Sequence, residues 1–388
     1  MLYQFLQEPE DFLHHIRRYS NALTTTMVFG WRTPTYEDEK MKQLFDGFSQ
    51  FADLNQQGAA GMVDFFPILR RLPDFLLPTK RKAKILHQHE KALYLSHWLN
   101  AKKAIDAGTI PPCFCVGVAD AQRKEGFSDD LACYISGTLL EAGSDTTSST
   151  LYAFIQAMVL YPDVQKRAQE EIERVVGSKR LPTMEDADDL PFIRCCVKET
   201  LRWMPTTILG AVPHAANQDD MYMGYVIPKG ASVMNNVWSI NMDPSRYTNP
   251  RKYDPQRFES NTKSLYDSAV DPDVSQRDQF TFGAGRRICP GIHVAERSLF
   301  LGISRILWSF TITPALNEDG SPNLPNPEKL TQGFVCMPEK FKATIAARSQ
   351  ERSDIITREW QQAETEFLDP QSKQWSKIPD EVRNAISG

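Results

Sequence analysis

The stretch Phe282–Gly291, which reads FGAGRRICPG, places one cysteine on a glycine-rich loop directly ahead of an amphipathic helical pattern that begins at Ile292. A cysteine in this position faces backbone N–H groups that have no partner inside the helix. These donors and the helix dipole favour the thiolate of Cys289, the dipole by about 0.3–1 kcal/mol. The glycines lack a Cβ, so they allow positive φ and the close approach of a flat group. The stretch therefore predicts one thiolate offered to a soft metal centre.

Cys289 taken alone has a simpler interpretation, because a lone cysteine is most often a small buried apolar residue. The full pattern, Phe-x-x-Gly-x-Arg-x-Cys-x-Gly, fixes four more residues around it and argues against chance. Haem iron is a known partner of a single cysteine thiolate. The stretch resembles the haem-ligand loop of the cytochrome P450 family, the haem-thiolate monooxygenases. By this resemblance Cys289 is the axial iron ligand, and Phe282 and Gly283 contact the haem.

The composition sets broad limits on the class of protein. The chain has 388 residues and a formal net charge of −5, which gives no sign of nucleic-acid binding. Its seven cysteines show neither zinc-ligand spacing nor a regular disulfide framework, which favours a reducing compartment. No apolar run of about 18 residues occurs, and Met1–Phe5 resembles neither a signal peptide nor a membrane anchor.

Apolar periodicity predicts a mainly α fold with a small β region. Short strands are predicted between residues 206 and 235, with a turn at Pro228–Gly230. The predicted helices cover about residues 8–31, 40–51, 82–103, 128–160, 163–176, 191–204 and 292–308. The resemblance implies the cytochrome P450 fold.

The segment from Met62 to Pro78 is apolar, is broken by prolines and has arginines and lysines on its flanks. One interpretation is a core-packed connection between helices. The other is a surface loop that enters a membrane interface, where basic residues flank the apolar part. The resemblance favours the second, because this region matches the membrane-facing substrate-channel segment of the family.

The centre of the longest helical pattern, Gly143–Thr150, contains no large apolar residue. Such a segment is either a packing surface of small residues or an acid–alcohol pair opened toward a cavity, since hydroxyl groups there can divert helix hydrogen bonds. Ala142–Thr147 matches every fixed position of the family's Ala/Gly-Gly-x-Asp/Glu-Thr-Thr segment. The resemblance therefore implies that Asp145 and Thr146 organise water and deliver protons to dioxygen.

Glu199 and Arg202 lie three residues apart on one predicted helix and so share a face. Such a pair is weak evidence by itself, because most are solvated surface pairs. The pair lies between the acid–alcohol segment and the cysteine loop, as it does in the family. Pro255–Phe258 then supplies the family's Pro-x-Arg-Phe arginine, Arg257. The resemblance implies a structural cluster of the three side chains.

The resemblance also implies the cofactor and the partners. The cofactor is haem b (iron protoporphyrin IX), with Arg287 and His214 at its propionates. Electrons come from NADPH through a separate NADPH–cytochrome P450 reductase, and one atom of O₂ enters a small apolar or aromatic substrate. The sequence around these motifs is similar to that of fungal microsomal members of the family, which oxidise secondary metabolites. The predicted substrate lining comprises Ile135, Leu139, Ala142, Ile208, Leu209, Phe334 and Val335.

The domain organisation is predicted as a cytochrome P450 domain over residues 1–348 and a charged C-terminal tail over 349–388. Family members carry an anchor, early helices and two strands before the region that Met1 begins, so we expect an N-terminally truncated chain. Location at the cytoplasmic face of the endoplasmic reticulum membrane is implied by the family. The alternatives are a catalytically silent fragment and a haem-thiolate isomerase or dehydratase, against which Asp145 and Thr146 argue.

Overall fold

The computed structural model describes residues 1–54, 66–333 and 335–379, and it consists of helices with a few short strands. The predicted fold class, mainly α with a small β region, is confirmed. The chain divides into two compact units, residues 1–148 with the segment from Ser349 onward, and residues 149–348. The partition into a domain and a tail stays a prediction, although the described part of the tail belongs to the first unit.

The first unit is helical, and its helices end where the sequence carries local signals. It contains α1 (Leu2–Gln7), α2 (Phe12–Phe29), α3 (Glu39–Leu54), α4 (Pro78–Asp106), α5 (Phe114–Glu125), α6 (Asp129–Leu160) as far as Ser148, and α12 (Gln350–Phe367). α2 stops at Gly30 and α5 at Gly126, where φ is 84° and 74°. Glycine adopts this left-handed conformation without strain, so both helices end there.

The start of α6 is fixed by its own first residues. Ser128 Oγ accepts a hydrogen bond from the Leu131 N–H at 3.3 Å, as an N-cap does. Asp129 accepts hydrogen bonds from Trp98 Nε1 at 2.8 Å and Lys102 Nζ at 2.7 Å, both on α4. The bond from Lys102 is the main reason that the pKa of Asp129 falls to about 2. These contacts hold α6 against α4.

Two short 3₁₀ turns, Pro67–Arg71 and Asp74–Leu76, lead into α4. Their apolar side chains face solvent: Ile68 is 70% exposed and Phe75 is 78% exposed. The described part of this segment is therefore not a core-packed connection, while Met62–Phe65 lies outside the described residues. Within the described ranges, no helix is long and apolar enough to cross a membrane.

The second unit combines helices with three small antiparallel sheets. Its helices are the rest of α6, α7 (Pro162–Val175), α8 (Pro191–Trp203), α9 (Val237–Asn241), α10 (Leu265–Ala269) and α11 (Ile292–Ser309). Its strands are β1 (His214–Ala215), β2 (Asp220–Tyr222), β3 (Tyr225–Ile227), β4 (Ser232–Val233), β5 (Phe310–Leu316), β6 (Pro322–Asn323) and β7 (Ala343–Ala347). β1 pairs with β4, β2 with β3, and β5 with both β6 and β7.

The turn at Pro228–Gly230 forms as predicted, with the Ala231 N–H donating to Pro228 O at 3.0 Å and φ of 83° at Gly230. The strands on its two sides do not pair with each other, because β3 joins β2 through a tighter turn at Met223 and Gly224. Most side chains of these four strands are exposed, with Tyr225 at 75%.

Candidate active site

The cysteine loop of the second unit is closed by its own backbone. The Cys289 N–H donates to Phe282 O at 2.9 Å, and the Ile288 N–H donates to Gly285 O at 3.2 Å. Gly283 and Gly285 have φ of 73° and 63°, which a residue with a Cβ rarely adopts. The loop therefore needs these glycines for its conformation, and it delivers Cys289 immediately before α11.

The outer side of this loop is open. A Cβ on Gly285 would meet no heavy atom within 4 Å, and Ala284 and Gly285 are exposed. A Cβ on Gly291 would lie 3.8 Å from Cys289 Sγ, an ordinary contact distance. The open side leaves room for a flat group to approach the backbone beside the sulfur.

Cys289 differs from the other cysteines in exposure. All seven are free, but six are buried and Cys289 alone is half-buried. Burial raises the pKa of the Cys289 thiol, and the Gly291 N–H opposes this shift. The expectation that the loop by itself favours the thiolate is therefore not met, because lost hydration outweighs the nearby donor. A metal ion that coordinates the sulfur removes the proton outright.

The surroundings of Cys289 decide which metal centre fits. Among the residues that the structure describes, no group of three His, Cys, Asp or Glu side chains is placed to hold a metal ion. Haem iron needs few ligands from the protein, because the macrocycle supplies the others. A single half-buried sulfur on an open, glycine-rich loop fits the axial position of haem.

A buried ion cluster joins α8 to the segment that follows α9. Arg202 Nε and Nη2 donate to the two carboxylate oxygens of Glu199 at 2.7 and 2.8 Å. Arg257 Nε and the Asp254 N–H donate to Glu199 Oε1 at 3.2 and 2.7 Å. Burial raises the pKa of Glu199, and the hydrogen bonds from Arg202 oppose that shift. The structure thus brings together the three residues predicted to cluster.

The same arginines bind the backbone of the segment itself. Arg202 Nη1 donates to Asn241 O at 2.9 Å, and its Nη2 donates to Pro250 O at 2.8 Å. Arg257 Nη1 donates to Thr248 O at 3.0 Å. Asn241 O is the last carbonyl of α9 and the other two carbonyls lie in the loop after it, so the two guanidinium groups supply donors to carbonyls that have no partner within a helix or sheet.

Further contacts connect α8 to the chain just before the cysteine loop. Lys198 Nζ lies 2.9 Å from Asp278 Oδ2, and both side chains are only 4% exposed. Thr281 Oγ1 donates to Leu201 O at 3.1 Å. Sequence reasoning missed this second buried ion pair, because its two residues are far apart in the chain and form no spaced motif.

Asp145 and Thr146 lie on α6, which continues as an α-helix through the polar centre. Thr146 Oγ1 donates to Ala142 O at 2.6 Å, and this bond fixes the orientation of its hydroxyl. Both side chains are half-buried. The pair therefore offers a carboxyl and an oriented hydroxyl on adjacent positions of one rigid helix.

The residues beside the pair pack on α2. Ser20 Oγ donates to Gly143 O at 3.1 Å, and Asn21 Nδ2 donates to Ser144 Oγ at 3.0 Å. A Cβ on Gly143 would lie 2.6 Å from Thr24 Oγ1. Part of the polar centre is thus a packing surface of small residues, which was the simpler of the two interpretations for this segment.

The remaining predicted site residues lie apart in the chain. His214 is exposed on β1, and Arg287 is exposed in the 3₁₀ turn Gly285–Arg287. Their contact with haem propionates stays a prediction. Of the predicted substrate lining, Ile135, Leu139 and Ala142 lie on α6 in the first unit, Ile208, Leu209 and Val335 belong to the second, and Phe334 lies outside the described residues.

Comparisons with known proteins identify the class. The family model described as cytochrome P450 matches residues 2–345. The cytochrome P450 monooxygenase virE of Hypocrea virens is 45% identical over 384 residues, covering 99% of this chain and 69% of the relative. The monooxygenase fogE of Aspergillus ruber is 46% identical over 381 residues, covering 98% of this chain and 70% of the relative.

A solved structure agrees with these matches. A zebra fish cytochrome P450, determined with progesterone, superposes with a TM-score of 0.70 at 25% identity, covering 89% of this chain and 75% of that one. The chain belongs to the cytochrome P450 family. Its function is that of a haem-thiolate monooxygenase, an oxidoreductase, as the sequence predicted.

Proposed function

We propose that this chain holds haem b through Cys289 and inserts one atom of O₂ into a small apolar or aromatic substrate of fungal secondary metabolism. Electrons come from NADPH through a separate NADPH–cytochrome P450 reductase. The observation that carries the proposal is the single free, half-buried sulfur on a glycine-rich loop, with no cluster of other metal ligands among the described residues. Haem held by this sulfur would supply the chemistry that binds and activates O₂ at its iron.

The loop residues hold the cofactor in this proposal. Cys289 Sγ would hold the iron, and the Gly291 N–H would moderate the charge on the sulfur, as hydrogen bonds to ligating sulfurs do. Phe282 and Gly283 line the loop, while the exposed Arg287 and His214 are assigned to the propionates. The arginine is suited to this task because its guanidinium forms paired hydrogen bonds with carboxylates.

Asp145 and Thr146 handle protons in this proposal. The Thr146 hydroxyl is oriented by its bond to Ala142 O, and a hydroxyl group can both donate and accept hydrogen bonds in a proton relay. The Asp145 carboxyl, one residue earlier, can release and regain a proton on each turnover. Together they supply protons for the oxygen atom that leaves as water.

The proton role predicts the effect of Thr146→Ala. The variant should bind substrate and haem like the parent, because only one hydroxyl is lost from an unbroken helix. Product per NADPH consumed should fall at least roughly tenfold, because a positioned proton donor contributes about 10²–10⁴-fold to the step it serves, with peroxide rising in compensation. Measuring NADPH, product and peroxide in a reductase-reconstituted reaction checks this.

Thr365→Ala on α12 is the matched control for this experiment. Its hydroxyl donates to Gln361 O at 2.8 Å, the same helix geometry as at Thr146. This control should leave the ratio of product to peroxide unchanged. If Thr146→Ala also leaves that ratio unchanged, the hydroxyl serves only to pack the helix and the proton role is wrong.

The substrate preference is proposed from the exposed side of α6. Leu131 and Ile135 are 50% and 37% exposed on this helix and stand one turn apart. Ala142, further along the helix, is also exposed, and the exposed Thr138 between them donates its hydroxyl to Tyr134 O at 2.6 Å. Such surface favours an apolar or aromatic substrate over a charged one.

We further propose peripheral contact with the cytoplasmic face of the endoplasmic reticulum membrane through Phe66–Leu76. Phe66, Ile68, Phe75 and Leu76 are each more than half exposed. The first turns of α4 add exposed or half-exposed lysine and arginine side chains at positions 80–84. Apolar side chains flanked by cations match the interface between lipid tails and anionic headgroups.

This membrane contact predicts that Phe75→Ser with Leu76→Ser weakens binding to vesicles of phosphatidylcholine and phosphatidylserine. Burying each such side chain contributes about 1.5–3 kcal/mol, so the double variant should bind at least about tenfold less tightly. Co-sedimentation measures the binding. Leu316→Ser on β5, which is 70% exposed in the parent, is the matched control and should change nothing. Equal binding by parent and double variant would refute the contact.

A further inference from the structure

A cavity of about 490 Å³, lined by apolar side chains such as Leu44, Leu86 and Leu93 as well as by polar ones, lies within the first unit, among α3, α4 and α6. Exposed residues of α3 and α4 stand at its edge: Gln43, Asp46, Gln50 and His89. Three less exposed residues, Glu90, Tyr94 and Glu141, line it further in. A water molecule takes about 30 Å³ in the liquid and needs polar partners, which these side chains supply along one side of the cavity from its edge inward. The cavity can therefore hold a chain of water molecules that reaches from the surface to Glu141.

The geometry of the inner wall is fixed by packing. The Tyr94 hydroxyl donates to Glu141 Oε1. A Cβ on Gly137 would overlap the Tyr94 ring, so the absence of a side chain at Gly137 allows the ring to lie there. The hydrogen bond occupies one oxygen of the Glu141 carboxyl and leaves Oε2 available for a proton.

The pKa values of the carboxyl groups on this wall are raised. Burial and the charge of Glu141 raise the pKa of Glu90 to about 7. Burial raises the pKa of Glu141 as well, with a further contribution from the charge of Asp145. Asp46 on α3 and His89 on α4 are the other titratable side chains around the cavity.

Glu141 precedes Asp145 by four residues on α6, and side chains at this spacing are neighbours on a helix surface. The three carboxyl groups therefore form a row. Glu90 lies at the cavity, Glu141 lies between, and Asp145 is the acid of the proton-handling pair. Glu90, at one end of the row, meets the water of the cavity. Asp145, at the other end, belongs to the acid–alcohol pair.

We propose that Glu90 and Glu141, with the water of this cavity, are the route by which protons from solvent reach Asp145. A proton passes from water to Glu90, from Glu90 through water to Oε2 of Glu141, and from Glu141 to Asp145. Each carboxyl regains a proton from the group behind it, so no bond other than O–H changes and no electron moves. The proposal rests on the proposed role of Asp145, and it names Tyr94 as the positioning residue.

The first test uses infrared spectroscopy of the full chain and does not depend on turnover. The parent should show a carboxylic acid C=O band at neutral pH that titrates away as the pH rises. Glu141→Gln and Glu90→Gln should each remove part of the band, and Tyr94→Phe should shift its frequency because a hydrogen bond is lost. Glu125→Gln, at the exposed end of α5, is the control and should leave the band intact. Absence of the band, or its persistence in both variants, overturns the proposal.

The second test measures product and peroxide per NADPH in the reductase-reconstituted enzyme. Asp145→Asn should lower the product ratio roughly tenfold, Glu141→Gln should do the same, and the double variant should show no further loss. A normal ratio in Glu141→Gln beside a lowered ratio in Asp145→Asn overturns the route and leaves the role of Asp145 standing. A normal ratio in Asp145→Asn overturns both.

Discussion

Replacing Cys289 by alanine is expected to abolish the thiolate-type band of the reduced, carbon-monoxide-treated protein. Cys289 is the half-buried member of seven free cysteines, and it stands on the loop that leads into α11. The described residues place no cluster of other ligands to take its place. Loss of the only thiolate should remove the band completely, and the difference spectrum measures this directly.

Two further variants, Cys289→Ser and Cys336→Ala, distinguish the loss of the iron ligand from a loss of folding. Serine keeps the size and an oxygen ligand, so any haem that remains should give a spectrum without the thiolate shift. Cys336→Ala removes a buried sulfur that is 3% exposed and should keep the band. A thiolate-type band in Cys289→Ala would show that the ligand assignment is wrong.

Helices with a strong local signal could be predicted from the sequence. Ser128 ahead of two aspartates marks the start of α6, and the predicted range of 128–160 agrees with the observed Asp129–Leu160. α12 was not predicted, because its sequence is mostly polar and only Arg352, Ile355 and Ile356 are buried. Its ordering depends on tertiary contacts, such as the stacking of Trp360 on Tyr3 at 5.9 Å between ring centroids.

The candidate site was predictable where a residue acts through its place in a short motif. Cys289 and the cluster partners Glu199, Arg202 and Arg257 follow from spacing and resemblance. The carboxyl row that ends at Asp145 was not predictable, because Glu90 and Glu141 meet only through the packing of α4 on α6. No local pattern specifies which glutamate on one helix will face a given glutamate on another.

The second large effect is expected for Glu199→Ala and Arg202→Ala. Both side chains are 0% exposed, and each is the main partner of the other. Removing one leaves an uncompensated buried charge, which costs about 3–5 kcal/mol. Since a whole domain is stable by only about 5–15 kcal/mol, we expect little folded protein from either variant. Urea unfolding followed by tryptophan fluorescence, together with the yield of soluble protein, measures the loss.

The size of this effect should depend on burial rather than on the presence of an ion pair. Glu328 pairs with Arg251 at 2.6 Å, but it is 61% exposed, so Glu328→Ala should cost no more than about 1 kcal/mol. Glu199→Gln should be milder than Glu199→Ala, because the amide oxygen can still accept from Arg202 and from the Asp254 N–H. A Glu199→Ala protein that folds normally and only turns over slowly would show that Glu199 acts in catalysis and does not hold α8 to the loop.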